Sequence, residues 1–431
     1  MSASPSLPAK IIICCDGTSK SAYIEGNSLT NVTRITRCIK PIHKKGNRQI
    51  VWYHPGIGTG SNRIVNAWHQ FSGEGLKDII IAAYLFLCNN YNTGLDGGPR
   101  DEIYLVGFSR GAFAVRCLAS LIQQHGVLPR EELHHANDLY DQWKKGTAPG
   151  AAVPPVPIKA CALWDTVSAI GIPLRGGTMC RKLAHIDSDM TNSVDHVYQA
   201  LALHEHRHHF FPIVLKHPIT PSNAPNVEQC WFGGFHSDVG GGKKLDALAH
   251  LPLIWILSKL SPCIDTDMDG LLGPMTAQST WRVPRLSDAS FRPVDSMKAL
   301  FRFLGSKYRI PNYEFWGEAG VYTCPDPNNE EKIHRSTRKL IEDDQMTLFH
   351  AALSIPTSEP IRWLLRPGPN ADGLEPFAAE DTVDRKEIEL LLHWVGKEEE
   401  ELHKQVNSQG RAPPGTILTK LRAWFRAHEA E

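Results

Sequence analysis

The chain has no basic segment followed by an apolar one at its start. Met1-Ser-Ala-Ser-Pro-Ser-Leu-Pro8 is uncharged, so no secretory leader is expected. Long apolar runs are also missing. The longest, Ile79 to Cys88, falls well short of the roughly 20 residues that a bilayer-crossing helix needs. There is no charge excess, because 46 Lys and Arg balance 46 Asp and Glu, which leaves nothing to draw the chain onto nucleic acid. None of the ten cysteines forms a Cys-x-x-Cys pair. Cys14, Cys15, Cys161 and Cys230 sit in apolar runs and read as buried free thiols, which points to a reducing, cytoplasmic setting. No internal repeat is apparent. With 42% hydrophobic and 21% charged residues, an ordinary globular protein remains. Its 431 residues exceed a typical single domain, so insertions or an appended region are expected.

The most informative stretch is Asp101-Glu-Ile-Tyr-Leu-Val-Gly-Phe-Ser-Arg-Gly-Ala-Phe-Ala-Val115. A β-leaning run, Ile103 to Val106, enters Gly107-Phe-Ser109-Arg-Gly111, and a helix-like run from Ala112 to Ile122 follows at once. This is a Gly-x-Ser-x-Gly nucleophile elbow in the strand–turn–helix setting that the chemistry requires. The positions two before and two after the serine must be nearly free of side chain, so that strand and helix can approach closely. The bland alternative is a tight turn whose serine caps the helix.

Around the elbow, apolar runs alternate with helical periodicity. Lys10 to Asp16, Gln49 to Gly56, Pro157 to Trp164 and Val227 to Phe232 read as strands, and Phe210 to Leu215 is strand-like. Gly75 to Asn90, Arg130 to Lys145 and Ser193 to about His209 read as helices, and Leu245 to Leu260 as an amphipathic one. The pattern implies an α/β fold, α/β-hydrolase-like, with a mostly parallel sheet and helices on both faces. The expected organisation is a catalytic domain over 8–345, with a cap or insertion at 261–330 rich in Pro, Gly and Asp. A charged helical C-terminal extension over 346–431 would pack on the core. In its last helix Ile417, Leu418, Leu421, Trp424 and Phe425 share one face. Docking on the core is the expected role of that face, and transient contact with a membrane surface is the alternative.

In open α/β sheets ligands bind beyond the carboxyl ends of the strands. Asp16, Ser109, Asp165 and His236 all fall there by sequence. A serine hydroxyl needs an imidazole to take its proton, and the imidazole needs a carboxylate to hold its tautomer. Ser109, then Asp165, then His236 is the chain order of the α/β-hydrolases. Taken alone, Asp165 reads equally as a turn or capping residue, and His236 as an ordinary loop histidine. The oxyanion calls for two fixed N–H donors, expected from Arg110 after the nucleophile and from Gly17 and Thr18 after the first strand. Asp16 and Asp238 are candidate supports behind this set.

A competing motif is His204-Glu-His-Arg-His208, which matches the His-Glu-x-x-His pattern of zinc peptidases, with Glu228 as a conceivable third ligand. Phe210-Phe-Pro212 ends the segment at once, so a histidine cluster with Glu205 and Arg207 in structural ion pairs is the expectation. No metal or other cofactor is expected.

Together, Cys15-Asp-Gly-Thr18, Leu29-Thr-Asn-Val32, Gly56-Ile-Gly-Thr59, Gly107-Phe-Ser-Arg-Gly-Ala112, Trp164-Asp-Thr-Val167, Ala200-Leu-Ala-Leu203 with Glu205 and Arg207, and Trp231 to Gly242 resemble one family. It is the α/β-hydrolase family that includes the catalytic domain of the first class of bacterial type VI secretion phospholipase effectors and many fungal members. The resemblance runs from about residue 10 to about 340. It implies a Ser-Asp-His hydrolase of carboxylic or lipid acyl esters, with Ser109 as nucleophile, Asp165 as acid and His236 as base. The other hypothesis is a catalytically silent scaffold of the same fold.

Overall fold

The structure is a computed structural model that describes residues 7–18, 29–56, 73–94, 98–147, 156–167, 194–207, 210–215, 225–243, 247–268, 271, 291–293, 295, 309, 311, 314–316, 321–323, 331–343, 353–354, 362–365, 375–381, 384–409 and 417–427. The chain divides into two compact units. One comprises Met1–Gln199, Pro212–Val227 and Leu260–Asp267, and the other Ala200–Phe211, Glu228–Lys259 and Met268–Glu431. Most of the expected cap at 261–330, and Ile57 to Gly60 of the glycine-rich loop, lie outside the described residues.

In the first unit, β1 (Lys10–Cys15), β2 (Gln49–His54), β3 (Glu102–Phe108) and β4 (Ile158–Trp164) form a parallel array in the order β4-β3-β1-β2. All six residues of β1 are buried. Both its faces are therefore covered, which explains why the strand reads as a continuous apolar run without alternation. Between the strands lie α1 (Asn31–Cys38), α2 (Gly73–Asn90), α3 (Arg110–His125) and α4 (Ala136–Lys144). Arg130–His135 forms a 3-10 turn where a continuous helix from Arg130 was expected. Ile79, Tyr84 and Leu87 of α2 pack with Phe113, Leu118 and Leu121 of α3 in one apolar cluster.

The segment from Ser193 to about His209, expected to be helical, is a strand: β5 (Val194–Ala202). Val194, Val197 and Leu201 do recur at helical spacing, but this is outweighed by sheet pairing of a run with β-branched and aromatic residues. Conversely, Phe210 to Leu215 forms no strand and contributes only an isolated bridge, Val167 to Pro212. Pro212 has no N–H to extend a ladder there.

In the second unit, β6 (Asn226–Phe232) is followed by a short helix α5 (His236–Gly240) and by α6 (Ala247–Leu260). Expected to be amphipathic, α6 is instead buried at nearly every position, with Lys259 the partly exposed exception. β7 (Glu314–Trp316) and β8 (Val321–Thr323) form a separate antiparallel pair. Next come β9 (Lys332–His334), α7 (Arg335–Glu342), β10 (Leu353–Ser354), β11 (Arg362–Leu365), β12 (Glu375–Asp381), α8 (Arg385–Gln409) and α9 (Ile417–Ala427). β9 pairs in parallel with both β6 and β12, while β10 and β11 add antiparallel strands beyond β12. The region after 346, expected to be helical, thus contributes three strands among the described residues before its helices begin. β10 and β11 are short, and the three strands form by pairing with one another and, through β12, with β9, which no local pattern reveals. Leu421 and Phe425 of α9 are fully buried, and Lys420 Nζ lies 3.6 Å from Asp343. The α/β-hydrolase-like, mostly parallel fold expected from the sequence is the one observed.

Candidate active site

β3 runs apolar and buried up to Phe108, and α3 begins at Arg110. The single residue between them, Ser109, has φ 58° and ψ −124°. Only Ser109 and Asp165 combine a side chain with positive φ among the described residues. Such conformations cost on the order of 1–3 kcal/mol and persist where the surroundings impose them. Ser109 makes no side-chain capping bond to α3, so the capping-serine alternative does not describe this turn. Its N–H donates to the Trp164 carbonyl at 2.9 Å.

The two flanking glycines are required by contact. A Cβ on Gly107 would lie 2.5 Å from the Ala112 Cα, and one on Gly111 would lie 2.3 Å from the Cys15 carbonyl oxygen. β3 and β4 are neighbours with Phe108 opposite Trp164. Ser109 and Asp165, one step beyond each, therefore end adjacent strands side by side, both buried and both strained. The turn after Asp165 is clamped. Thr166 Oγ1 donates to Gln199 Oε1 at 2.6 Å, Gln199 Nε2 to the Ile213 carbonyl at 2.9 Å, and the Ile213 N–H to the Thr166 carbonyl at 2.9 Å.

β1 delivers Asp16, Gly17 and Thr18 to the same end of the sheet. A Cβ built on Gly17 would be 3.3 Å from the Ser109 Cβ, so this loop touches the elbow. The Asp16 carboxylate accepts hydroxyl bonds from Thr30 (2.8 Å), Thr33 (2.9 Å) and Tyr53 (2.9 Å), and from the Gly17 N–H (2.7 Å). Burial raises its pKa, while these four donors act in the opposite direction. Because the Gly17 N–H is committed to Asp16, it is not the donor expected for an oxyanion. Thr18 Oγ1, by contrast, is buried without a hydrogen-bond partner among the described residues. Thr30, Thr33 and Tyr53 carried no signal of their own in the sequence, beyond Thr30 lying in the Leu29–Val32 motif. Burial also lowers the Arg110 guanidinium to about 10.

In the second unit, His236 opens α5 directly after the Gly233-Gly234-Phe235 turn and is buried. The Phe210 ring meets it edge-on, with centroids 5.0 Å apart. Asp238 accepts the Phe235 N–H at 2.9 Å and pairs with Lys243 Nζ at 2.7 Å, so it shapes this turn.

The helix that a zinc-peptidase pattern requires is absent among the described residues. β5 ends at Ala202, the residues from Leu203 to Arg207 are not helical, and His208 lies outside the described residues. His204 Nδ1 accepts the Gly234 N–H at 2.9 Å, and Glu228 pairs with Lys259 at 2.9 Å. Glu205 takes a two-pronged pair from Arg207, at 2.8 and 2.6 Å. Burial pushes the Glu205 carboxyl up, but the Arg207 bonds and charge, with Arg309, outweigh it and hold the pKa at about 2. The expected ion pair of Glu205 with Arg207 is therefore present.

The chain is similar to known proteins. The family described as "T6SS, Phospholipase effector Tle1-like, catalytic domain" matches residues 9–259. The chain belongs to this family. The matched span includes the elbow, Asp165 and His236. A Saccharomyces cerevisiae relative, Uncharacterized protein YEL023C, is 27% identical over 232 residues, covering 46% of this chain and 32% of that protein. The chain thus spans about a third of that relative's length. Two solved structures are similar at low identity. A crystal structure of an uncharacterized protein from Pseudomonas aeruginosa shares 16% identity with a TM-score of 0.37, over 60% of this chain and 46% of that one. The structure of the Tle1 effector bound to the VgrG spike from the Type 6 secretion system shares 20% with a TM-score of 0.34, over 56% and 52%. Among the described residues, no helix is long and apolar enough to cross a membrane.

Proposed function

We propose that the chain is a serine hydrolase that cleaves carboxylic or lipid acyl esters through an acyl-enzyme on Ser109. The observation that carries this reading is the strained, buried Ser109 beside an equally strained Asp165 at the register-matched ends of β3 and β4. Ser109 Oγ attacks the acyl carbonyl as His236 takes its proton, and His236 returns that proton to the leaving alcohol. Asp165 stabilises the imidazolium. Water then enters by the same base and releases the acid. The oxyanion is held by the Arg110 N–H at the start of α3 and by Thr18, whose buried hydroxyl is a ready donor. Gly17 serves by keeping the Thr18 loop close to Ser109, and Asp16 by anchoring that loop through its four bonds. The chemistry calls for no metal or organic cofactor.

The family supports a lipid ester as substrate, met by transient contact with a membrane surface. A cytoplasmic location is consistent with the buried free thiols, of which burial pushes Cys14 and Cys161 up to about 12.

The test is covalent labelling of the full chain with a fluorophosphonate probe, together with hydrolysis of p-nitrophenyl esters and phospholipid vesicles. Wild type is expected to label, Ser109→Ala to lose labelling, and His236→Ala to lose several orders of magnitude in turnover with its fold intact. Labelling that survives Ser109→Ala, or an inert wild type, would leave a silent scaffold instead.

A further inference from the structure

Four successive backbone N–H groups lead into His236, and each donates to a different side chain. Gly233 donates to Thr337 Oγ1 at 2.9 Å, Gly234 to His204 Nδ1 at 2.9 Å, Phe235 to Asp238 Oδ2 at 2.9 Å and His236 to Glu205 Oε2 at 3.3 Å. The acceptors come from three places: the segment after β5, α5 itself, and α7. All four are buried.

Three of the acceptors are held in turn. Arg207 grips Glu205, and Lys243 grips Asp238. The His204 N–H donates back to the Gly234 carbonyl at 2.9 Å, so that residue pair is bonded twice. Because His204 Nδ1 accepts, its ring proton sits on Nε2. Immediately before the turn, the Phe232 ring stacks on His334 with centroids 4.5 Å apart.

Buried amides must be satisfied somewhere, and backbone partners usually serve. Here they are met by buried side chains, three of them held in turn, which defines the path of the backbone into His236 from several directions. We propose that His204, Glu205, Asp238 and Thr337 are positioning residues that preset the His236 imidazole for proton transfer. The His-Glu segment singled out as a metal motif then has a different use: it holds the base. This inference rests on the assignment of His236 as base in the proposed function.

Thr337 is the cleanest probe, because valine has its shape without the acceptor oxygen and serine restores the oxygen. With a soluble p-nitrophenyl ester, Thr337→Val in the full chain should lower kcat on the order of 10- to 100-fold at nearly constant KM, the scale of loss for a misplaced reacting group. Thr337→Ser should return most of it. In a His236→Ala background the same Thr337→Val change should have no further effect, since it acts only through that imidazole. Melting curves report folding, and Thr337→Ala provides the same comparison if the valine variant does not fold. An equal loss with and without His236, or wild-type kcat in a folded Thr337→Val protein, overturns the positioning role while Ser109 labelling stays intact. Wild-type turnover in His236→Ala is a separate result: it removes the base assignment itself, and the inference with it.

Discussion

Gly111→Ala adds one methyl group where β1 and α3 meet, and its consequences follow from distances. The new Cβ would stand 2.3 Å from the Cys15 carbonyl oxygen, 2.5 Å from that of Asp16 and 2.6 Å from the Cys15 carbonyl carbon. All three atoms are backbone, so no side-chain rotation relieves the overlap. Real Cβ contacts stay beyond 3.0 Å, which obliges α3 or the end of β1 to move by at least about 0.7 Å. β1 is held in register by β2 on one side and β3 on the other. The strain is therefore not absorbed locally, and a loss of about 3 kcal/mol is expected, at the upper end for overpacking. At roughly 2–4 °C per kcal/mol, the melting temperature should fall by about 6–12 °C. The displaced atoms lead directly into Gly17 and Thr18 beside Ser109, so the fluorophosphonate labelling rate should also drop, on the order of 100-fold.

Gly396→Ala is the control. It is the same chemical change inside α8, with nothing within 4 Å of the new Cβ, and it should raise stability by about 0.5–1 kcal/mol without altering labelling. Thermal melts and labelling rates on both variants decide the matter. A Gly111→Ala protein that melts and labels like wild type would refute the close approach of strand and helix on which the elbow depends.

Two further outcomes are expected. The Glu205 carboxyl is held at about 2, below its ordinary 4.5, so its contribution to stability is present above about 4.5 and lost as pH falls toward about 2. Denaturant melts of wild type should show this acid limb and those of Glu205→Gln a flatter one, with equal acid limbs counting against the Arg207 pair. Phe425→Ala removes a fully buried ring from α9 and should cost about 3–5 kcal/mol, with activity falling alike on soluble esters and on vesicles as the protein unfolds. A protein of unchanged stability that loses only vesicle binding would instead make this face a membrane contact.

The parts of the molecule that were legible are those whose physics is local. A continuous apolar run ending in Asp-Gly-Thr is a buried parallel strand because only a strand covered on both faces is apolar throughout. The Gly107-Phe-Ser-Arg-Gly111 turn announces itself because sharp strand-to-helix reversal leaves no room for Cβ atoms. The expected helix over 193–209 failed because Val194, Val197 and Leu201 satisfy helical spacing, while the choice of strand depends on partners elsewhere in the chain. The strands between 353 and 381 were hidden for the same reason: β10 and β11 are very short, and β12 takes its place only by pairing with β11 and β9.

At the candidate site, residue types and chain order alone nominated Ser109, Asp165 and His236, the residues of the proposed triad. Tertiary structure decided what surrounds them. The hydroxyls of Thr30, Thr33 and Tyr53 converge on Asp16, the Gly17 N–H turns to that carboxylate, and His204, Glu205, Asp238 and Thr337 meet the four amides before His236. Hydrogen bonds between residues up to about a hundred positions apart leave no periodicity in a sequence, because their partners become neighbours only when the sheet has formed.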